Sequence, residues 1–375
     1  MKRIVFVTGS RADFGKLKPL MLAVNSSPDF KCLVFVTGMH VLSRYGLTVN
    51  EVYKAGFCDI YTYINQVYGE SMEMVLANTI IGLSRYLLEY QPDLIVIHGD
   101  RVETLAGAIA GALQNILVAH IEGGEMSGTI DELIRHSVSK MSHIHFVSNK
   151  TAADRLLQLG EDSDRIYIIG SPDIDIMLNG ALPEMEEVKK HYEIGFSKYA
   201  ILVYHPVTTE LDSQEENVRE LATALIASGD NYIVIYPNSD VGSDLIFKAY
   251  ERFQGNARFR VFPSLRFEYF LSLLKEADYI IGNSSVGIRE APVYAVPAIN
   301  VGSRQQNRFE ADLIINVAHD RKAILEAIAA VKKFPKMPPC YYFGDGHGAA
   351  AFMKALAGRE LWETPKQKQF CDILR

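Results

Sequence analysis

Cysteine is scarce in this chain: four residues in 375, Cys32, Cys58, Cys340 and Cys371, with no CxxC pair and no dense cluster among them. A disulfide framework is thereby excluded, and a reducing cytoplasm is the expected location. Long apolar runs are missing too, since none approaches the roughly 20 residues needed to cross a bilayer. The opening Met1-Lys2-Arg3-Ile4-Val5-Phe6-Val7 faintly imitates a secretory leader, but it is short and Arg11 and Asp13 follow it closely. It reads as a first β-strand. Basic residues are in no excess, 38 against 45 acidic for a formal net charge of -7, with both signs spread along the chain. No footprint for nucleic acid or an anionic membrane is present, so a small molecule is the expected partner.

Two nucleotide signatures are absent. Gly9-Ser10-Arg11-Ala12-Asp13-Phe14-Gly15 follows the first strand but lacks the GxGxxG order, and Arg11 puts a bulky charge where a dinucleotide pyrophosphate would approach. NAD is disfavoured, and no GxxxxGK[ST] loop serves ATP. Short-period repeats and low-complexity segments are missing as well.

What is present is an alternation of short β-branched runs with helical patterns. Ile4-Val7, Leu33-Val36, Leu94-Ile97, Ile116-Ala119, Ile144-Val147 and Ile166-Ile169 are candidate strands, separated by helical windows at Met72-Tyr90, Val102-Leu113 and Thr151-Leu159. Continuous apolar runs suit strands buried on both faces of a parallel sheet. After a polar stretch, Leu182-Pro183-Glu184-Met185-Glu186-Glu187, a second series begins: Ala200-Tyr204, Tyr232-Tyr236, Phe259-Phe262, Tyr279-Ile281 and Ala298-Val301, with helices near Glu215-Ile226, Asp244-Phe253, Phe267-Lys275 and Lys322-Lys332. The fold class is α/β, with two Rossmann-like doubly wound domains and an interdomain cleft. The expected domains are 1–180 and 181–375, and the last helical piece, about 347–375, is free to pack on either.

The chemistry gathers where strands end. Leu94-Ile97 leads into His98-Gly99-Asp100-Arg101, and Ile116-Ala119 into His120-Ile121-Glu122-Gly123-Gly124. Ligands bind at the carboxyl ends of parallel strands, so Asp100 and Glu122 are expected to be neighbours there. Asp131 opens a helix in Ser127-Gly128-Thr129-Ile130-Asp131. Three acids directed to one crevice point to proton transfer. Glu125, Glu132 and Arg135 lie close by in sequence, where a solvated helix face explains them equally well.

Gly282-Asn283-Ser284-Ser285-Val286-Gly287-Ile288-Arg289-Glu290 follows a strand and opens a helix. Small residues, free N–H groups and serine hydroxyls there suit a diphosphate cradle, although a serine-capped helix after a tight turn is the plainer reading. Arg304 and Arg11, each after a strand, are candidates to neutralise the pyrophosphate. His205, before Pro206, ends the first strand of the second half and is placed to donate to phosphate or move a proton. His98, His120 and His136 match no metal-ligand spacing, so no metal is expected; His98 and His120 are assigned to orienting the carboxylates.

Taken together, these segments resemble the hydrolysing UDP-N-acetylglucosamine 2-epimerases of sialic acid biosynthesis. The matching stretches, in order, are Gly9-Lys16, His98-Arg101, His120-Glu125, Ser127-Asp131, Ile134-His136, His205-Thr209, Gly282-Ser285 and Gly302-Gln305. The resemblance implies a B-type glycosyltransferase-like fold and conversion of UDP-GlcNAc and water into N-acetylmannosamine and UDP, with no cofactor. It also implies that Asp100, Glu122 and Asp131 form the acidic catalytic set and that His205 assists them. Arg11, Lys16, Arg101, Ser284, Ser285, Glu290 and Arg304 would hold UDP and sugar. A homodimer or homotetramer is implied, and capsule or surface polysaccharide supply is the expected setting. No appended kinase domain is recognised, so the expected product is unphosphorylated. A non-hydrolysing 2-epimerase, the same reaction on a 2,4-diacetamido-6-deoxy sugar nucleotide, and a B-type glycosyltransferase remain the alternatives.

Overall fold

The computed structural model describes residues 1–127, 130–238 and 240–372. Gly128 and Thr129 of the segment carrying Asp131 therefore lie outside the described residues. The chain forms two compact units, one of residues 1–125, 131–180 and 342–375, the other of residues 126–130 and 181–341.

The first unit is built on seven parallel strands: β1 (Lys2–Thr8), β2 (Phe30–Val36), β3 (Asp59–Thr62), β4 (Leu94–His98), β5 (Leu117–Ile121), β6 (Ile144–Val147) and β7 (Ile166–Ile168). Their order across the sheet is β3-β2-β1-β4-β5-β6-β7. The inner strands read as unbroken apolar runs because helices cover both faces; β4 and β5 are buried along nearly their whole length. Strand order reverses between β1 and β4, which opens the crevice where ligands of doubly wound sheets bind. The helices that frame this end are α1 (Arg11–Asn25), α2 (Val49–Lys54), α3 (Met72–Tyr90), α4 (Val102–Leu113) and α5 (Ile130–Met141).

The late segment from Tyr342, which the sequence left open between the halves, belongs to this first unit. Helix Gly348–Ala357 buries Phe352 against Phe6 and Phe146, with ring centroids 6.4 and 4.8 Å apart. An aromatic pair of this kind adds about 1 kcal/mol beyond its buried area.

The second unit has six parallel strands: β8 (Ala200–Val203), β9 (Tyr232–Ile235), β10 (Phe259–Phe262), β11 (Tyr279–Gly282), β12 (Ala298–Val301) and β13 (Ile314–Val317). Their order is β10-β9-β8-β11-β12-β13, with the reversal between β8 and β11. Among the described residues, no helix is long and apolar enough to cross a membrane.

Two edge strands, β3 and β13, are absent from the sequence reading. Both are only partly buried, so neither shows a continuous apolar run. Strand β5 also runs two residues further than expected and takes in His120 and Ile121, which pair with Ile97 and His98 of β4. A histidine is tolerated inside that ladder because both its ring nitrogens have partners, the Ser139 hydroxyl at 3.0 Å and the Gly99 carbonyl at 2.8 Å.

Candidate active site

Glu122 leaves β5 with φ 63°, a left-handed conformation that costs a side-chain-bearing residue on the order of 1 kcal/mol or more. Its N–H donates to the Phe146 carbonyl at 2.9 Å, so the sheet itself fixes the turn. Gly124, at φ 73°, completes it where a Cβ would meet the Ala152 carbonyl oxygen at 2.2 Å. The Glu122 side chain is buried. One carboxylate oxygen accepts from the Ser171 hydroxyl and lies 3.7 Å from the Lys16 ammonium; the other lies 3.2 Å from His98 Nε2.

His98, the last residue of β4, donates from Nδ1 to Asp13 at 2.8 Å. Asp13 is held in turn by the Gly9 N–H at 3.0 Å. Burial alone would lower the basicity of this imidazole, but the charge of Glu122 and the hydrogen bond to Asp13 outweigh it and raise the pKa to about 9. His98 is thus an imidazolium between two carboxylates. His120 goes the other way, because burial lowers its pKa to about 3 and keeps it neutral. Its bond to the Gly99 carbonyl requires the proton on Nε2.

Asp100 follows β4 by two residues and is gripped by Arg135 of α5. The same guanidinium donates through Nη1 to the Glu122 carbonyl at 2.5 Å. Arg135 is 2% exposed, so the solvated helix face considered for it is wrong. Burial of a guanidinium demands such partners. Glu125 is likewise buried, accepting from the Ser148 hydroxyl at 2.8 Å. Asp131 stands in the first turn of α5, one turn before Arg135 and on the same side of the helix. The structure therefore brings Asp100 and the Glu122 backbone onto one side chain, and sets Asp131 on the helix that supplies it.

The remaining sequence candidates in this unit lie around the same strand ends. Lys16 is buried in α1, 3.4 Å from Asp173 as well as near Glu122. Arg101 immediately precedes α4 with its Nε 3.5 Å from Glu103, and Arg11 lies 3.9 Å from Glu51. Sequence reasoning missed Asp13, Ser171 and Asp173. Asp13 sits inside a segment that was singled out for Arg11, and Ser171-Pro172-Asp173 carries a helix-start signal after β7 that hid its second use.

In the second unit His205 and Asn283 clasp each other across the β8 and β11 ends. The His205 N–H donates to the Asn283 side-chain oxygen at 2.7 Å, and the Asn283 amide returns a bond to the His205 carbonyl at 2.8 Å. His205 Nδ1 accepts from the Asn238 N–H at 3.0 Å, which leaves Nε2 as the proton-bearing nitrogen. Gly282 makes the close approach possible: it sits at φ 135°, and a Cβ would fall 2.0 Å from the Val203 carbonyl oxygen. Ser284 and Ser285 follow, partly exposed, before a helix of only four residues, Val286–Arg289. Arg304 and Gln305 both donate to the Asn283 carbonyl, at 3.2 and 3.1 Å, and Glu290 is buried. Among the described residues, no three His, Cys, Asp or Glu side chains are grouped as metal ligands.

Two parallel sheets with reversed strand order and polar strand ends define a class, the two-domain α/β proteins of B-type glycosyltransferase-like fold. A Methanocaldococcus jannaschii UDP-GlcNAc 2-epimerase, solved in complex with UDP-GlcNAc and UDP, shares the fold at TM-score 0.82 and 20% identity, over 95% of this chain and 99% of that one. The family model for UDP-N-acetylglucosamine 2-epimerase matches residues 22–357. The Neisseria meningitidis UDP-N-acetylglucosamine 2-epimerase is 46% identical over the full length of both chains. A Legionella pneumophila UDP-N,N'-diacetylbacillosamine 2-epimerase (hydrolyzing) is 34% identical over 92% of this chain and 93% of its own. The chain belongs to the UDP-N-acetylglucosamine 2-epimerase family of enzymes.

Proposed function

We propose that this enzyme is the hydrolysing type, converting UDP-GlcNAc and water into N-acetylmannosamine and UDP in sialic acid supply. The observation that carries the substrate is the 46% identity, end to end, with the Neisseria enzyme. Hydrolysis is supported by the name of the Legionella relative and by the aspartate of Ser127-Gly128-Thr129-Ile130-Asp131, which resembles the hydrolysing branch.

The proton on carbon 2 of the sugar has no adjacent carbonyl to acidify it, so departure of UDP must supply the activation. As the bond from carbon 1 to the phosphate oxygen breaks, its electron pair goes to the leaving diphosphate and positive charge grows at carbon 1. A carboxylate then takes the carbon 2 proton, and a double bond forms between carbons 1 and 2. Water next adds its oxygen to carbon 1 while a proton reaches the opposite face of carbon 2. Two faces require two groups, which is why Asp100, Glu122 and Asp131 are assigned together as the acidic set. His205, with Nε2 as donor, assists near the diphosphate. Arg11, Lys16, Arg101, Ser284, Ser285, Glu290 and Arg304 are the proposed UDP and sugar contacts; among them the serine cradle and the arginines stabilise the charge growing on the leaving diphosphate.

Product analysis tests the reading: free N-acetylmannosamine with equimolar UDP is expected, and UDP-N-acetylmannosamine without free sugar contradicts it. The Legionella relative favours one other substrate, UDP-N,N'-diacetylbacillosamine. A kcat/KM for that compound above the value for UDP-GlcNAc would establish it instead.

A further inference from the structure

Helix α5 presents Arg135 and Asp131 from its first half, and its far end is held by a residue outside the family pattern. The carbonyls of a last helical turn lack intrahelical partners, and a cation there also meets the negative end of the helix dipole. The Lys368 ammonium fills this place. It donates to the carbonyls of Ser139, Lys140 and Ser142 at 3.1, 3.0 and 2.6 Å, and pairs with the Glu161 carboxylate. Glu161 is itself buried, taking His145 Nε2 at 2.8 Å from within β6 and the Lys140 ammonium at 3.0 Å.

The chain around Lys368 is a strap across the end of α5. His143 Nε2 donates to the Lys366 carbonyl at 3.0 Å, and the Lys140 ammonium lies 5.0 Å from the centre of the Phe370 ring. Upstream, Trp362 anchors the strap with an indole bond to the Leu356 carbonyl at 2.7 Å. The family match ends at residue 357, before Trp362, Lys366, Lys368 and Phe370.

We propose that Lys368 is a positioning residue for the reaction assigned above: by tying the end of α5 to Glu161, it holds the helix so that Arg135 grips Asp100 and the Glu122 backbone. The inference rests on that functional reading, and its test has one arm that does not.

Lys368→Met, Lys368→Arg and Glu161→Gln are compared with the wild type by amide hydrogen exchange of α5 and by steady-state kinetics normalised to UDP-binding sites. In Lys368→Met, exchange protection of α5 is expected to fall about tenfold or more. Its kcat per site should fall about tenfold with KM within about twofold, since displaced catalytic groups cost turnover rather than ground-state binding. Glu161→Gln, which keeps the shape of the pair, should move both quantities in the same direction, and Lys368→Arg should restore most of the loss. Protection and kcat per site at wild-type level in both Lys368→Met and Glu161→Gln would overturn the proposal, as would an arginine variant as impaired as the methionine one. A wild type that turns over no UDP-GlcNAc would sink the functional reading instead, while unaltered exchange in the variants would still overturn the role given to Lys368.

Discussion

Arg135 holds the Asp100 carboxylate with one guanidinium nitrogen and the Glu122 carbonyl, at 2.5 Å, with the other. Two candidate acids on separate strand ends are thus set by a single side chain of α5. Their relative placement depends on a buried cation whose removal leaves Asp100 without that partner.

Arg135→Met should therefore destabilise the protein by about 3 kcal/mol, the cost of breaking a buried pair from one side. Urea unfolding measures it. A change under about 0.5 kcal/mol, the range of ordinary surface substitutions, would contradict the clasp.

Asp100→Asn, Glu122→Gln and Asp131→Asn should each lower kcat by about 100-fold or more, the usual contribution of a positioned acid or base. UDP affinity by calorimetry should stay within a few-fold. Turnover near wild type in all three variants would remove the carboxylates from the chemistry.

The imidazolium of His98 makes a pH prediction. Its folded-state pKa of about 9 stands above the ordinary 6.5, so its stabilising contribution is complete below pH 6.5 and is lost as pH rises through 9. The difference in unfolding free energy between wild type and His98→Gln should shrink over that window. A difference that stays constant from pH 6.5 to 9 would mean that Asp13 and Glu122 do not hold the charge.

In the second unit, Asn283→Ala removes both bonds to the His205 backbone together with the side chain that fills the β11 end. A loss of about 2 kcal/mol is expected from two buried hydrogen bonds. Gly282→Ala should cost at least as much, because its Cβ would meet the Val203 carbonyl oxygen at 2.0 Å. Thermal unfolding checks both, and a neutral Gly282→Ala would show that β8 and β11 are free to part there.

Much of this architecture is legible in the amino-acid order. Strands buried on both faces, such as Leu94–His98 and Ala200–Val203, announce themselves as apolar runs. Two of the edge strands do not: Asp59–Thr62 and Ile314–Val317 are half exposed and carry mixed residues. At the candidate site, the carboxylates stand out because they interrupt apolar runs at strand ends. Their supports are harder to see. Arg135 has the local sequence of a surface helix, and only the fold, which turns that face inward, explains its burial. Asp13, Ser171 and Asp173 meet near Glu122 from distant segments, and Lys368 reaches α5 over more than 200 residues of chain. No local pattern records such long-range meetings.

The most direct test of the central claim is proton NMR of the purified enzyme with UDP-GlcNAc in deuterium oxide. The account predicts free N-acetylmannosamine carrying deuterium at carbon 2, together with UDP. N-acetylmannosamine that retains the original proton at carbon 2, or deuterated UDP-N-acetylmannosamine with no free sugar, would contradict it.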